Sequence, residues 1–327
     1  GQFYNSADGY FRIDMSPRNI VKRMPPLFVD FRAGYNRWNY FKSSNELFFD
    51  SEALSPVLNT HKYVGVDCGT PIGNSVIATA GVAYGIMYYN YFQSTSINKN
   101  DIADETQMNY LATKLNYEYN TLNYRQYANK GRETKMQGSF ILGNEHYKPG
   151  TTARPYETAN RIVRYRDWFN FNIRHTQYFS CAKHFSLGYQ FILNIGNKPQ
   201  FSNSIASLLS AYAYNPFPLC QSQILEKYRA NQWVGLGLMP IVNITGNVQF
   251  RSEIHAFQAY RYISTSNYKT TYSDKFPTPR FMGHMALVLQ TPIGPLSATG
   301  SYYYKEEKPF RFQINFGYLI FNRKGTD

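Results

Sequence analysis

Charge is scarce in this sequence: Asp, Glu, Lys and Arg together make up 17% of the residues, against roughly 25% in an average soluble domain. A membrane helix needs about 20 consecutive, mainly apolar residues, and the mean hydropathy of -0.46 argues against a helical membrane protein. The only cysteines are Cys68, Cys181 and Cys220, widely spaced; their odd number leaves at least one without an intramolecular partner, and no metal-ligand spacing is present. Acidic residues are few enough to leave a formal net charge of +13. The Lys and Arg residues are nevertheless scattered, without a helical basic stripe or a nucleic-acid motif, so nucleic acid is not an expected partner. Basic residues at loops and rims, facing anionic lipid head groups, account for the excess. Neither a Met nor a charged-then-apolar leader stands at Gly1, so a signal peptide and further upstream domains are expected outside this sequence.

Aromatic residues are abundant, at 17% with 30 Tyr and 24 Phe. They occur within alternating patterns. In residues 27–38, Leu27, Val29, Phe31, Ala33 and Tyr35 share one face, and Phe28, Asp30, Arg32, Gly34, Asn36 and Trp38 the other. Residues 247–260 repeat this, with Val248, Phe250, Ile254 and Ala256 opposite Gln249, Arg251, Glu253 and His255. In residues 161–174 the register is less clean, and a bulge near Asp167 is expected. No charge occurs from Cys68 to Asn98, and residues 75–92 have the length of a short membrane helix. Their β-branched and aromatic content favours a strand, with Thr79, Gly81, Ala83 and Gly85 towards a lumen.

Alternation with polar or Pro-containing interruptions recurs from end to end, which makes the chain all-β. Tyrosine clusters such as Tyr88, Tyr89 and Tyr91, or Tyr302 to Tyr304, sit at the ends of alternating runs, where interfacial girdles of a membrane barrel lie. A spanning strand with its share of turn and loop takes roughly 20 residues, so about sixteen antiparallel strands in one transmembrane β-barrel domain over residues 1–327 are expected. Residues 94–107, 129–135, 148–160 and 264–279 read as extracellular loops, and 244–246 and 292–295 as periplasmic turns.

Five strands are expected after Arg229: residues 230–243, 247–260, 281–291, 296–304 and 310–322. A long segment, 215–229, therefore precedes the fifth strand from the end. Its position and its Arg resemble the BamA-type superfamily of outer-membrane assembly and translocation barrels, whose sixth extracellular loop folds into the lumen with a Val-Arg-Gly-aromatic motif. Here the motif reads Tyr228-Arg229-Ala230-Asn231. The resemblance implies that Arg229 pairs with an acidic residue on the wall, for which Glu253 is the match. Residues 290–321 resemble the superfamily's last hairpin, and Phe316, Gly317, Tyr318, Ile320 and Phe321 look like its assembly signal, although residues 322–327 extend beyond the usual terminal aromatic. With residues 233–240, this ending is most similar to the barrel of bacterial patatin-like phospholipases.

Those proteins carry a lipid-acyl hydrolase domain ahead of the barrel. Its Gly-x-Ser-x-Gly elbow is absent here, where the nearest fragments, Gly73-Asn74-Ser75 and Gly138-Ser139, lack the second Gly. Neither catalytic residues nor a cofactor nor a metal is expected in this chain. The resemblance implies an outer-membrane anchor or translocator for a patatin-like lipase domain lying outside it. Alternatives are an insertase with a lateral seam between residues 9–15 and 310–322, and a passive porin. Expected partners are outer-membrane lipid and lipopolysaccharide, the barrel assembly machinery, and a possible homodimer or larger membrane complex.

Overall fold

The computed structural model describes residues 2–15, 25–40, 57–93, 100–153, 161–266, 269–306, 308–320 and 323–326. Thirteen strands form one antiparallel sheet: β1 (Gln2–Met15), β2 (Leu27–Tyr40), β3 (Val57–Ile72), β4 (Val76–Tyr91), β5 (Asp104–Asn120), β6 (Gly131–Lys148), β7 (Ile162–Ala182), β8 (Phe185–Gly196), β9 (Trp233–Asn243), β10 (Val248–Ala259), β13 (Arg280–Thr291), β14 (Gly294–Tyr303) and β15 (Phe310–Phe316). A separate hairpin, β11 (Ile263–Ser266) and β12 (Lys269–Tyr272), rises from the β10–β13 connection. Every strand of the sheet pairs with its neighbour in sequence, the up-and-down order of a barrel wall. The outer edges of β1 and β15 have no strand partner among the described residues.

The expected faces hold. On β10, Gln249, Arg251, Glu253 and His255 are buried, whereas Ile254 is 62% exposed on the opposite face. On β4, Ala83 and Gly85 are buried and Val82 and Tyr84 exposed, so residues 75–92 form a strand and not a helix. Among the described residues no helix is long and apolar enough to cross a membrane. Charged groups on the inner face and apolar groups on the outer face invert the pattern of a soluble protein.

Glycine on the inner face makes room for these charges. Gly81 lies opposite both Asp67 on β3 and Lys114 on β5, and a Cβ there would collide with Asp67 Oδ1. The Asp67 carboxylate therefore passes over β4 to reach Lys114 Nζ at 3.2 Å, while also meeting Arg32 Nε at 3.1 Å. Gly81→Leu should break this bridge and lower the yield of folded barrel, whereas Ala80→Leu, on the outer face, should leave it unchanged; semi-native electrophoresis of the two variants tests the contrast.

Several sequence expectations are corrected. Fifteen strands are described where about sixteen are expected, thirteen of them in the main sheet; strands reach the length of β7, 21 residues, and residues 197–232 all lie in one connection. No bulge occurs near Asp167. The β6–β7 register runs unbroken from Gly131↔Tyr178 to Tyr147↔Ile162, and the irregularity falls at Ser180 and Ala182. Connections alternate between two ends of the sheet, and the Thr121–Lys130 connection shares the end of the tight turns at 73–75, 244–247 and 292–293; of the expected loop 129–135, residues 131–135 are the start of β6. The expected loop 94–107 is partly β5, with 94–99 outside the described residues, and 264–279 contains the β11–β12 hairpin. Of loop 148–160, residues 154–160 lie outside the described residues. The last strand stops at Phe316; Gly317, at φ 88, turns the chain away from it.

Candidate functional site

The lumen is entered from both ends. From the long-loop end, residues 197–232 fold inward. Asn203 caps α1 (Ser204–Ser210) by accepting from Ile205 N at 2.8 Å. The segment is anchored by Glu145, which accepts from Ser202 N at 2.5 Å while Arg166 holds its other oxygen at 2.7 Å. Ala206 and Leu209 of α1 pack against Met87, Tyr89, Met108 and Trp168 of the β4–β7 wall. Lys198 donates to Ser210 O at 2.6 Å and lies over the rings of Trp168, Phe201 and Tyr212. Burial, with Lys324 and Arg229 nearby, pushes its ammonium down to about 7.

Beyond α1 the insert closes on itself: Ala213 bridges Arg229, and Tyr214 N donates to Tyr228 O at 2.9 Å. Between these arms, α2 (Pro218–Gln221) starts with Pro at its first turn. Tyr228, in the 3-10 turn Glu226–Tyr228, is wholly buried; its hydroxyl donates to Phe281 O at 2.6 Å and Tyr304 O at 3.0 Å. Phe217 stacks on His284 of β13 at 4.3 Å. The insert thus spans from the β4–β7 wall to the β8–β14 wall.

Burial raises the Cys220 thiol within this packing. Cys68 and Cys181 are exposed, and none of the three cysteines is disulfide-bonded. Alkylation of the folded protein with an apolar, micelle-permeant maleimide should therefore mark Cys68 and Cys181 and spare Cys220 until the insert is unfolded; mass spectrometry of labelled peptides reads the order.

From the tight-turn end, residues 121–130 cross to β9, β10, β13 and β14. Tyr127 has a left-handed backbone, φ 57, which an aromatic residue rarely adopts. Surrounding bonds hold it: Gln249 Nε2 donates to Tyr127 O at 2.6 Å, Gln290 Nε2 to Gln126 O at 3.1 Å, and Asn129 Nδ2 to Asn243 Oδ1 at 2.6 Å. The side chain packs on Ala286 and Val288.

Arg251 joins the two insertions. Its guanidinium meets Glu253 Oε1 at 2.6 Å, donates to Ala128 O at 3.2 Å and to Tyr178 Oη at 3.2 Å, and lies over the Tyr127 ring. Glu253 Oε2 meets His255 Nε2 at 3.0 Å, and the His255 ring touches Phe217 of the upper insert. His284 Nδ1 and Ser301 Oγ are 2.9 Å apart, but both are buried and Phe217 covers the imidazole.

The structure does not bring Arg229 to Glu253. Arg229 Nη1 donates to Leu209 O at 2.8 Å and Ala211 O at 3.2 Å, stitching the insert internally. Glu253 takes its cation from two residues away on its own strand. Opposite charges at i and i+2 share one face of a strand, and that spacing was the available signal for Arg251. Nothing in the sequence marked Tyr127 or Tyr228 as anchors, since both are single tyrosines among many. Of the expected assembly signal, Phe316, Tyr318 and Ile320 are exposed, Gly317 makes the turn, and Phe321 lies outside the described residues. Among the described residues no group of His, Cys, Asp and Glu could hold a metal.

No family model matches the chain, and no curated protein matches it. Among solved structures, BamA from Haemophilus ducreyi lacking POTRA domains 1-3 is similar with a TM-score of 0.55 and 12% identity, over 95% of this chain and 60% of that one. BauA, the ferric preacinetobactin receptor of Acinetobacter baumannii, gives 0.41 and 8% identity over 92% of this chain and 47% of that one, and CdiB from the same organism gives 0.33 and 9% over 94% and 58%. The chain spans less than two thirds of the length of each. Up-and-down order, an inward charged face, a folded-in loop before β9 and the BamA likeness together make this an all-β chain with a BamA-like barrel fold.

Proposed function

We propose that the chain is an outer-membrane barrel of the translocator type, embedded through its apolar outer face and closed at rest by its own segments. The observation that carries this reading is the lumen crossed from both ends, with Arg251 and Glu253 linking the insertions. A diffusion pore would need a water-filled interior. In finer form, the barrel anchors, and passes to its destination, a patatin-like lipase domain outside this chain; the similarity of the last third of the sequence to such barrels supports that form. Phe316, Gly317, Tyr318, Ile320 and Phe321 serve as the signal read by the assembly machinery, and lipopolysaccharide covers the outer face.

A second reading, an insertase, is favoured by a specific observation: β1 and β15 each present an outer edge without a strand partner among the described residues. Unpaired edges template additional strands.

Planar-bilayer recording tests the resting closure. The intact chain should give only brief, small openings, removal of residues 204–228 should raise conductance, and further loss of the Tyr127 anchorage through Gln249→Ala and Gln290→Ala should raise it more. A large steady conductance in the intact chain would support the porin instead.

A further inference from the structure

At the tight-turn end of β5–β8 the otherwise apolar outer face carries a polar belt. Arg132, Thr134 and Met136 of β6 have the parity of the exposed Phe140, opposite the buried Ser139 and Ile141, and so face outward. Arg132 is level with Gln177 of β7, and Thr134 with His175. Most polar groups of the belt bond one another. His175 lies between Thr134 Oγ1, at 2.8 Å from Nδ1, and Tyr189 Oη, at 3.0 Å from Nε2, and Tyr189 donates to Gln177 Oε1 at 3.3 Å.

Arg132 is the exception. Its guanidinium lies over the Tyr119 ring, 4.5 Å from the centroid, and bonds the Tyr119 hydroxyl. Most of its five donors are left over. The neighbouring carboxylates, Glu118 and Glu133, belong to the inner face and meet Lys135 Nζ at 3.5 and 2.9 Å. The outward cation has no carboxylate partner among the described residues.

From Arg132 the wall turns apolar in a fixed order. A shallow cleft of about 470 Å³ is lined by Val76, Tyr117, Tyr119, Arg132, Thr134 and Met136. At the next outward position, Gly138 lies between Leu115 and Phe171, which are both exposed. A Cβ there would meet nothing nearer than Phe171 at 3.9 Å, so the absent side chain prolongs the cleft as a furrow. Cation, then hydroxyls and rings, then an apolar furrow is the order of a glycerophospholipid read from phosphate to acyl chain.

We propose that this cleft holds one glycerophospholipid, with its phosphate on Arg132 and an acyl chain along Met136 and Gly138. This rests on the reading of the chain as a membrane barrel and names a ligand for one place on its wall. Short turns of such barrels face the periplasm, which puts the lipid in the inner leaflet. A guanidinium offers a planar fork of donors that matches two phosphate oxygens. An unpaired cation on a lipid-facing wall is costly, and the phosphate supplies its counter-charge.

The test uses the full chain folded in a neutral alkyl-maltoside detergent, phosphatidylglycerol as the probe, and diacylglycerol with the same acyl chains as its headless control. Native mass spectrometry reads the lipid retained, and each variant is first checked for the heat-dependent mobility of the folded barrel. The unaltered chain should retain phosphatidylglycerol and bind diacylglycerol about tenfold or more weaker, the worth of a charge-assisted hydrogen bond. Arg132→Gln should lower retention of phosphatidylglycerol by a similar factor, and Arg132→Lys by less, since an ammonium keeps the charge without the fork. Gly138→Leu, which fills the furrow, should lower retention of both lipids. Lys62→Gln removes an outward cation nearer the long-loop end and should change nothing. Inorganic phosphate in excess should not displace the lipid. Full retention in Arg132→Gln, equal binding of diacylglycerol, an equal loss in Lys62→Gln, or displacement by inorganic phosphate overturns the site. Should Arg132→Gln not fold, Gly138→Leu and the diacylglycerol comparison still decide it. A water-soluble chain without heat-dependent mobility removes the membrane-barrel reading; a heat-modifiable barrel that does not select phospholipid removes the site alone.

Discussion

Glu253→Ala is expected to destabilise the folded barrel by about 3–5 kcal/mol, because it leaves the Arg251 guanidinium buried in the lumen without its carboxylate. Arg251 and Glu253 are both nearly inaccessible and meet at 2.6 Å. Arg251→Ala should cost a similar amount, and the double replacement little more than either alone, since once one partner is gone the other's burial is the remaining penalty. Arg229 gives the contrast. Its hydrogen bonds run to Leu209 and Ala211 within the insert, so the losses from Arg229→Ala and Glu253→Ala should add. Urea titration followed by semi-native electrophoresis measures all five variants. A non-additive Arg229 and Glu253 pair would show that those two are coupled after all.

Tyr228→Ala should undock the upper insert. The side chain is wholly buried among Phe257, Tyr303 and their neighbours, and deleting a large buried aromatic typically costs about 3–5 kcal/mol. Tyr228→Phe keeps the packing and loses the bonds to Phe281 O and Tyr304 O; Phe281 O still accepts from Tyr304 N at 3.2 Å, so the effect is that of lost hydrogen bonds, about 0.5–1.5 kcal/mol. The two substitutions therefore separate packing from hydrogen bonding. Limited trypsin digestion at Lys227 and Arg229 reads docking directly: rapid cleavage in Tyr228→Ala, slower in Tyr228→Phe, slowest in the unaltered chain. Equal rates in all three would mean that Tyr228 is not the anchor.

The wall was legible in the sequence because its rule is local. Period-2 alternation assigned the faces of β2, β4 and β10, and four of the last five strands fell within about three residues of their observed bounds, whereas the last, expected to run to 322, stops at Phe316. The interior was not legible, because what fills it comes from distant parts of the chain. Residues 121–128 carried no signal of their own; their role depends on Gln249 and Gln290, more than a hundred residues away. The segment 323–326 depends in the same way on Asn36, Tyr63, Tyr110 and Gln137. The pairing of Arg229 failed for a related reason. Motif position put the loop at 215–229, within the observed connection 197–232, but the fold of the insert decides which carbonyls the guanidinium meets. Small residues on the lumen face were the one internal signal: Gly81 and Gly85 marked where a neighbour's side chain crosses.

The most direct test of the central claim is electrophoresis of the chain extracted from membranes in mild detergent, unboiled against boiled, with circular dichroism of the unboiled species. A membrane barrel predicts a faster or slower unboiled band that converts on boiling, together with a β-dominated spectrum. A water-soluble species with one mobility before and after heating would contradict it, since an outer face bearing Tyr84, Ile254 and Leu287 would then have to face water.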